Sequence, residues 1–377
     1  MNENTPFLHT NNQPQKDNAL VGKMSFFITG FPRSGTTLTQ QLLNAASDVF
    51  CYNQPLPYIY YKAKNDFLDQ LKVSQAYPLD DLFLQTAYRP KDFTNFLTQY
   101  QLNNQQLQAL KAAQVGYSGA LDDINIPPNI GGTLSEVYHQ LFSHTSTKAC
   151  GTKEVFCEEY IDYYLSRGIK CIVLIRNPAD LIGSVIKGQQ LGGARPLLYY
   201  IRQWRKSVAF ALHFQQHPDF LCIRYEDLAT DPQTVWQQIA GFIGTKDTYN
   251  NVEATLFSRW KGNSNFHSYH TVTGDAIGTS AAYLSANARA TIQVLCQPEL
   301  NALYNQQEKL NVDQIAHLSD DIIPTHPMTG NLPKHHKNAL IEEQTRQEIL
   351  INGKPSIEDQ QKWFIFESVY DKLSARV

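Results

Sequence analysis

The chain has 377 residues, of which 42% are hydrophobic and 18% are charged, with a formal net charge of −3 and an isoelectric point near 6.4. A chain of this length can bury the core of one large α/β domain with extensions. The balanced charge gives no basis for a nucleic-acid partner or an anionic membrane surface, so a site for a polyanion has to be a local cluster of Arg and Lys.

The six cysteines show no C-x-x-C pair and no metal-binding spacing, which predicts free thiols in a reducing compartment and no metal. Residues 1–22 are polar and rich in Asn and Gln, as in a flexible arm. No apolar segment has the length of a signal peptide or a membrane span. We expect a soluble, cytoplasmic protein with a main domain over residues 23–310 and a helical extension over 311–377.

A strand, a tight loop and a helix are predicted at the start of the main domain. Ser25–Thr29 is apolar and β-rich, Gly30–Gly35 contains two Gly and a Pro, and Thr36–Ala46 has apolar residues at helical spacing. A loop of this kind at a helix start directs free backbone N–H groups and the positive end of the helix dipole at one point. The segment therefore predicts a cradle for a phosphate.

The loop matches the P-loop spacing from Gly30 to Gly35, but Thr36 stands where a nucleoside triphosphatase has Lys, and a cation occurs inside the loop as Arg33. Such a loop can hold a phosphate or sulfate ester through amides, hydroxyls and Arg, without the lysine used in NTP hydrolysis. The alternative is an ordinary strand-to-helix turn that happens to be rich in Gly and Pro.

At Pro32–Thr37, PRSGTT, the chain resembles the sulfotransferases that use 3′-phosphoadenosine 5′-phosphosulfate (PAPS), and the resemblance covers about residues 24–305. It implies a P-loop-like α/β fold with a mostly parallel sheet of about five strands flanked by helices. It also implies that the 5′-phosphosulfate is bound by Arg33, Ser34, Gly35, Thr36 and Thr37.

A second strand is predicted within Asp48–Pro57. In related sulfotransferases the end of this strand often carries a Glu that serves as general base, whereas this chain has Asn53 and Gln54, which cannot take a proton. The following region to Ala113 is helical in character and rich in aromatic residues, where such folds usually bind the acceptor. The candidate acceptor-binding residues here are Tyr52, Asn53, Gln54 and Tyr58.

The segment Ala149–Phe156, ACGTKEVF, is similar to the family segment in which a Lys follows a strand. The resemblance implies that Lys153, with Arg33, stabilises the charge that grows on the leaving phosphate as the S–O bond breaks. The adjacent Glu154 has three open interpretations. It orients Lys153, replaces the missing base, or pairs with a surface cation.

The run Lys170–Arg176, KCIVLIR, reads as a buried central strand. The resemblance implies that Arg176 and Ser184, eight residues later, hold the 3′-phosphate of the cofactor. The alternative is a capping loop followed by an unrelated Ser. In the irregular region 259–282, the family has a loop that folds over the adenine and 3′-phosphate, which makes Gly278 and Thr279 candidates for cofactor binding.

Three further acceptor-site candidates lie in predicted loops. Asp122 and Asp123 precede a Pro-Pro pair and are either solvated turn residues or ligands for a cationic acceptor. His267 lies in the 259–282 loop and is an alternative source of the general base.

The remaining elements carry structural predictions. A helix over 196–217 is expected to pack on the sheet with its charges outward, and the acids of YEDL after the strand Phe220–Arg224 are interpreted as structural. In the extension, helical stretches near 337–350 and 356–374 are predicted. The apolar face of the second stretch would dock on the body or on a second subunit, which makes a homodimer possible.

The sequence thus predicts a metal-free transfer of a sulfuryl group from PAPS to a hydroxyl or amine of a small-molecule acceptor. The substituted base position and the composition favour a bacterial or cyanobacterial enzyme of secondary metabolism. An acceptor of the guanidinium-alkaloid kind, such as saxitoxin, is a hypothesis based on the aromatic and acidic residues above. The alternatives are a non-catalytic nucleotide-binding module and a metabolite kinase built on the same loop.

Overall fold

The computed structural model describes residues 23–72, 89–114, 124–188, 197–259, 271–310, 313, 315, 332–353 and 355–376, with the backbone alone for 332–340. The strands are β1 Met24–Gly30, β2 Val49–Asn53, β3 Ala149–Lys153, β4 Lys170–Ile175 and β5 Phe220–Arg224. The helices of the body are α1 Thr36–Ala45, α2 Pro57–Gln70, α3 Pro90–Gln99, α4 Asn104–Ala113, α5 Leu134–Phe142, α6 Ile161–Leu165, α7 Pro178–Gly188, α8 Leu197–Phe214, α9 Tyr225–Thr230, α10 Pro232–Ile243, α11 Tyr249–Arg259 and α12 Ala286–Tyr304. The C-terminal helices are α13 Leu332–Asn352, α14 Ile357–Phe364 and α15 Glu367–Ser374.

The five strands form one sheet in the order β2-β3-β1-β4-β5, and all neighbouring strands are parallel. The predicted α/β class with a parallel sheet of about five strands is confirmed. Lys153 is in register with Asn53 on one side and Ile28 on the other, and Gly30 is in register with Leu174. The carboxyl ends of all strands therefore meet at one edge, where the candidate site residues lie.

Alternate residues of the strands face two separate cores, as the two-residue period of a strand requires. Phe26 and Ile28 pack with α1, α10 and α11 on one side of the sheet, whereas Phe27 packs with the larger helical layer on the other. The central strand β4 is apolar and buried from Cys171 to Ile175. Burial on both faces explains why it reads as a continuous apolar run.

Two charged residues of α8, Arg205 and Lys206, are buried, so the prediction that the charges of this helix face outward is wrong. Lys206 is 3% exposed and forms ion pairs with Glu158 at 3.1 Å and Glu159 at 2.9 Å, while Lys64 of α2 pairs with Glu159 at 3.2 Å. Two carboxylates from the short 3₁₀ helix after β3 thus neutralise two lysines inside the protein. The charged residues of α8 read as solvent-facing because their partners are remote in sequence.

The three C-terminal helices pack on the body. His213 of α8 stacks on Phe366 with 3.8 Å between ring centroids, and its Nδ1 lies 2.7 Å from Ser368 Oγ. Trp363 and Phe364 are buried with the main core. The predicted apolar face of this region therefore contacts α8 and α12 of the same chain.

The structure shows all six cysteines as free thiols, five buried and one, Cys222, of intermediate exposure. Within the described ranges, no helix combines the length and the apolar character needed to cross a bilayer.

Gly151 of β3 tests the packing between the sheet and α1. A Cβ atom at this position would overlap the ring of the fully buried Phe26, so Gly151→Ala is expected to lower the free energy of unfolding by about 1–3 kcal/mol. Urea unfolding measures the difference. The control is Gly241→Ala in α10, where a Cβ has no neighbour within 4 Å, and where Ala is expected to stabilise the helix by up to about 1 kcal/mol. Equal stability of wild type and Gly151→Ala would contradict the packing.

Candidate functional site

The loop between β1 and α1 needs glycine at both ends. Gly30 has φ 151° and a Cβ there would lie 2.5 Å from the carbonyl oxygen of Leu174, while Gly35 has φ 102° and a Cβ would lie 2.8 Å from the ring of Tyr225. Only glycine combines these dihedral angles with so little space. The turn between them is closed by the Ser34 N–H, which donates to the Phe31 carbonyl at 3.1 Å.

The N-terminus of α1 keeps its backbone donors available. Gly35 occupies the N-cap position and no side chain caps the helix, so the N–H groups of Thr36 and Thr37 in its first turn have no intrahelical partner. The Ser34 hydroxyl is buried and has no hydrogen-bond partner in the described part of the chain. The loop therefore offers several donors and the positive helix end to one anion.

Two guanidinium groups lie beside this loop. Arg33 Nε donates to Ser184 Oγ at 3.0 Å, and Arg176 donates to the carbonyl oxygens of Arg33 at 3.2 Å and Ala276 at 2.6 Å. Neither arginine forms an ion pair with a carboxylate of the described residues. Burial lowers the pKa of Arg33, and the charge of Arg176 lowers it further. Two cations held this close favour a ligand with more than one negative charge.

The position of Arg176 is set by its surroundings. Its carbonyl accepts a hydrogen bond from Trp204 Nε1 at 2.8 Å, and its guanidinium lies 4.4 Å from the centre of the Tyr225 ring. The carboxylate of Glu226, in the YEDL segment, accepts hydrogen bonds from the backbone N–H of Asn177 at 2.7 Å and from the hydroxyl of Tyr304 at 3.1 Å. Glu226 thus fixes the loop that follows Arg176, in line with its structural interpretation.

Asp180, in the first turn of α7, was not among the sequence-based candidates. Its carboxylate accepts the backbone N–H groups of Gly278 at 2.6 Å and Ser280 at 2.9 Å. These bonds hold the loop of Gly278 and Thr279 against α7, next to the Ala276 carbonyl that binds Arg176. The only signal in the sequence was an acid shortly after the Arg176-Asn177-Pro178 turn.

Lys153 and Gln54 meet at the ends of β3 and β2. The Lys153 ammonium donates to Gln54 Oε1 at 2.9 Å, and the backbone N–H of Gln54 donates to the backbone carbonyl of Lys153 at 2.9 Å. Lys153 is 2% exposed and Asn53 is buried beside it in register. The structure thus brings together a candidate catalytic cation and two residues predicted to bind the acceptor.

The two tyrosines of the acceptor prediction have different surroundings. Tyr58 is half-buried in the first turn of α2, with its ring centroid 6.2 Å from that of Tyr61. Tyr52 packs against Phe50 and Phe142, with ring centroids 4.7 and 5.2 Å away. Tyr58 is therefore placed near the strand ends, and Tyr52 contributes to an aromatic cluster with α5.

Glu154 is turned to the core, which excludes a surface ion pair. It is 1% exposed, and its carboxyl group accepts hydrogen bonds from Tyr138 at 3.3 Å and Thr152 at 3.4 Å. Burial raises its pKa to about 8, although the charge of Lys153 and these two hydrogen bonds act in the opposite direction. The group therefore keeps its proton at neutral pH.

Three sequence candidates, Asp122, Asp123 and His267, lie outside the described residues. Among the residues that are described, no group of three His, Cys, Asp or Glu is placed to bind a metal ion.

Glu154→Gln tests the buried carboxyl group. The unfolded chain releases this proton near pH 4.5 and the folded protein near pH 8, so the folded state binds more protons between these values and wild-type stability falls as the pH rises. Gln cannot titrate, so the variant is expected to match wild type near pH 5 and to exceed it near pH 9 by up to about 5 kcal/mol. Urea unfolding at both pH values gives the comparison.

The matched control is Glu348→Gln, which removes an exposed carboxyl group of α13 and is expected to leave the pH dependence unchanged. An identical pH dependence in wild type and Glu154→Gln would contradict the protonated state of Glu154.

Comparison with known proteins assigns the chain to a family. A family model described as "Sulfotransferase family" matches residues 25–249, which is more than half of the chain. No protein of curated function matches the sequence. Similar solved structures include the sulfotransferase domain from the Synechococcus PCC 7002 olefin synthase, with 18% identity, 73% of this chain and 93% of that chain covered and a TM-score of 0.41.

Two further similar structures are sulfotransferases. The sulfotransferase domain from the curacin biosynthetic pathway has 20% identity over 77% of this chain and 99% of that chain, with a TM-score of 0.41. Mouse sulfotransferase SULT7A1 complexed with PAP has 13% identity over 72% of this chain and 83% of that chain, with a TM-score of 0.39. The parallel sheet and the loop at Gly30–Gly35 agree with the match of the family model. The chain therefore belongs to the sulfotransferase family.

Proposed function

We propose that the protein transfers a sulfuryl group from PAPS to a hydroxyl or amine of a small-molecule acceptor. The observation that carries the proposal is the pair of Arg33 and Arg176, which lie together at the uncapped start of α1 without a carboxylate partner among the described residues. A ligand with separated phosphate and phosphosulfate groups supplies the negative charges that this arrangement lacks.

The residues present fit such a cofactor. Ser34 Oγ and Arg176 Nε are buried polar atoms without a partner in the described part of the chain, which is expected where a bound anion completes the hydrogen bonding. The 5′-phosphosulfate would be held by the loop amides with Arg33, Ser34, Gly35, Thr36 and Thr37. The 3′-phosphate would be held by Arg176 and Ser184, and the nucleotide would be covered by Gly278 and Thr279.

The bound cofactor supplies an activated sulfuryl group, and the protein stabilises the charge that appears on the leaving phosphate. The Lys153 ammonium is fixed by Gln54 Oε1 at 2.9 Å. This acceptor is a neutral amide, which positions the ammonium without adding a negative charge. A preorganised cation of this kind lowers the barrier without reorganising during the reaction.

The proton of the acceptor has no base among the described candidates. Gln54 cannot take a proton, and Glu154 keeps its own proton at neutral pH because burial raises its pKa to about 8. His267 stays a candidate for this role. The amide at Gln54 also favours a second proposal, a PAPS-binding module that has lost catalysis.

We propose a cationic natural product of secondary metabolism, of the guanidinium-alkaloid kind, as the acceptor. The proposal rests on the half-buried aromatic residues Tyr58 and Tyr61 in the first two turns of α2, because aromatic residues attract cations. Asp122 and Asp123 would add negative charge.

Calorimetric titration with adenosine 3′,5′-bisphosphate tests the cofactor site. Wild type is expected to bind the bisphosphate in preference to ATP with Mg²⁺. Arg176→Ala removes a charged hydrogen-bond donor and is expected to weaken binding by about 10- to 100-fold. The control Arg167→Ala removes a guanidinium that lies 3.8 Å from the Tyr163 ring near the amino-terminal end of β4, and should not change the affinity. Preferential binding of ATP with Mg²⁺ would favour the kinase instead.

Lys153→Met tests the catalytic cation. With PAPS and a panel of guanidinium, amine, phenol and sugar acceptors, release of adenosine 3′,5′-bisphosphate is expected to fall by about 10²- to 10³-fold in kcat, while bisphosphate affinity changes far less. The control is Lys148→Met, just before the other end of β3, where the side chain donates to the exposed Gly244 carbonyl. Tight binding by wild type without turnover of any acceptor would favour the non-catalytic module, and turnover of phenols or sugars alone would refute the cationic acceptor.

A further inference from the structure

A charged cavity of about 40 Å³ lies between the C-terminal helices and the body. Its walls come from α8, α12, α13 and the residues Trp363, Phe364 and Ile365. Because a buried water needs at least about 10–15 Å³ on this measure, the space is sufficient for a small ion with one or two waters. None of its residues belongs to the proposed cofactor or acceptor site.

Several ion pairs surround this cavity. Glu343 pairs with Arg202 at 2.9 Å and Arg205 at 2.6 Å, and Arg346 pairs with Glu299. At the rim, Glu342 pairs with Arg202 at 2.9 Å and with Lys362 at 3.6 Å. Among the described residues of the cluster, four cations thus face three carboxylates.

A second lysine near the cavity does not change this balance. Lys206 lines the wall, but its ammonium pairs with Glu158 and Glu159, and Glu159 also pairs with Lys64. These two lysines and two carboxylates form a neutral set of their own.

Two buried donors at this cavity have no hydrogen-bond partner in the described part of the chain. They are the Nη1 groups of Arg205 and Arg346, whose residues are 8% and 3% exposed. A buried unpaired guanidinium N–H is costly, and the two groups repel each other: burial lowers the pKa of Arg346, and the Arg205 charge lowers it further.

The carboxylate oxygens of this cluster are held mainly by its ion pairs. Three arginines hold the pKa of Glu343 at about 2, although its burial acts to raise it. Glu299 has one carboxylate oxygen without a partner among the described residues. A water beside the ion can donate to that oxygen, and the cavity has room for it.

We propose that this cavity binds a small inorganic anion that accepts hydrogen bonds from Arg205 Nη1 and Arg346 Nη1. The anion bridges α8 to α13, so it fastens the C-terminal helices to the body. Halides and small oxyanions share this chemistry, and the experiment separates them.

Two measurements on the full chain test the site. The melting temperature is followed as chloride replaces gluconate at constant ionic strength, which avoids oxyanions that also bind the loop at Gly30–Gly35. A saturable rise of about 2–4 °C is expected. Crystals are then grown with bromide or with selenate, and anomalous scattering is used to locate the ion. We expect it between Arg205 and Arg346.

Conservative variants keep the ion pairs while they remove the free donors. Arg205→Lys retains a cation for Glu343, and Arg346→Lys retains one for Glu299, so both are expected to fold and to lose at least half of the chloride-dependent rise. Arg167→Lys, which changes a guanidinium outside the cavity lining, should keep the full rise. Density for either ion in the cavity supports the proposal and identifies the class of anion. The proposal is overturned if neither crystal shows anomalous density in the cavity. It is also overturned if the protein is equally stable in chloride and in gluconate.

Discussion

The site depends on one electrostatic constraint, the placement of two arginines side by side without a carboxylate partner among the residues that the structure describes. Gly30 and Leu174 are in register on neighbouring strands, so the residues that follow them, including Arg33 and Arg176, necessarily emerge at the same edge. Their N–H groups are bound by neutral acceptors, a hydroxyl of Ser184 and backbone carbonyls. Neutral acceptors orient the guanidinium groups without neutralising their charge, which suits the pair to a polyanionic ligand.

A buried polar network connects the end of β1 at Gly30 to α2 and α8. The Phe156 N–H donates to the Gly30 carbonyl at 3.2 Å, and the Phe156 carbonyl accepts the Lys64 ammonium at 2.7 Å. Lys64 shares Glu159 with Lys206 of α8. Buried ion pairs of this kind add little net stability but are costly to break one partner at a time. They therefore fix how α2 and α8 sit against the loop, which a purely apolar interface would define less strictly.

The parts of the fold that follow local rules could be predicted, and the long-range polar pairs could not. The strand, loop and helix around Gly30–Gly35 and the apolar strand β4 are visible as periodicity, glycine placement and apolar runs. The partners of α8 are not, because Glu343 lies 141 residues from Arg202 along the chain. Asp180 was missed for the same reason, since its bonds reach a loop about 100 residues away. An isolated charge in a sequence reads as solvated until its partner is known.

The neighbours Lys153 and Glu154 show why adjacency in sequence is a weak guide to a site. Successive side chains at a strand end point to opposite faces, so Lys153 meets Gln54 while Glu154 meets Tyr138 in the core. A carboxylate in place of Gln54 would accept a proton but would also neutralise Lys153. The amide instead positions the ammonium without adding a negative charge. Such a site favours an acceptor that loses its proton easily or delivers it to a base outside the described strand ends.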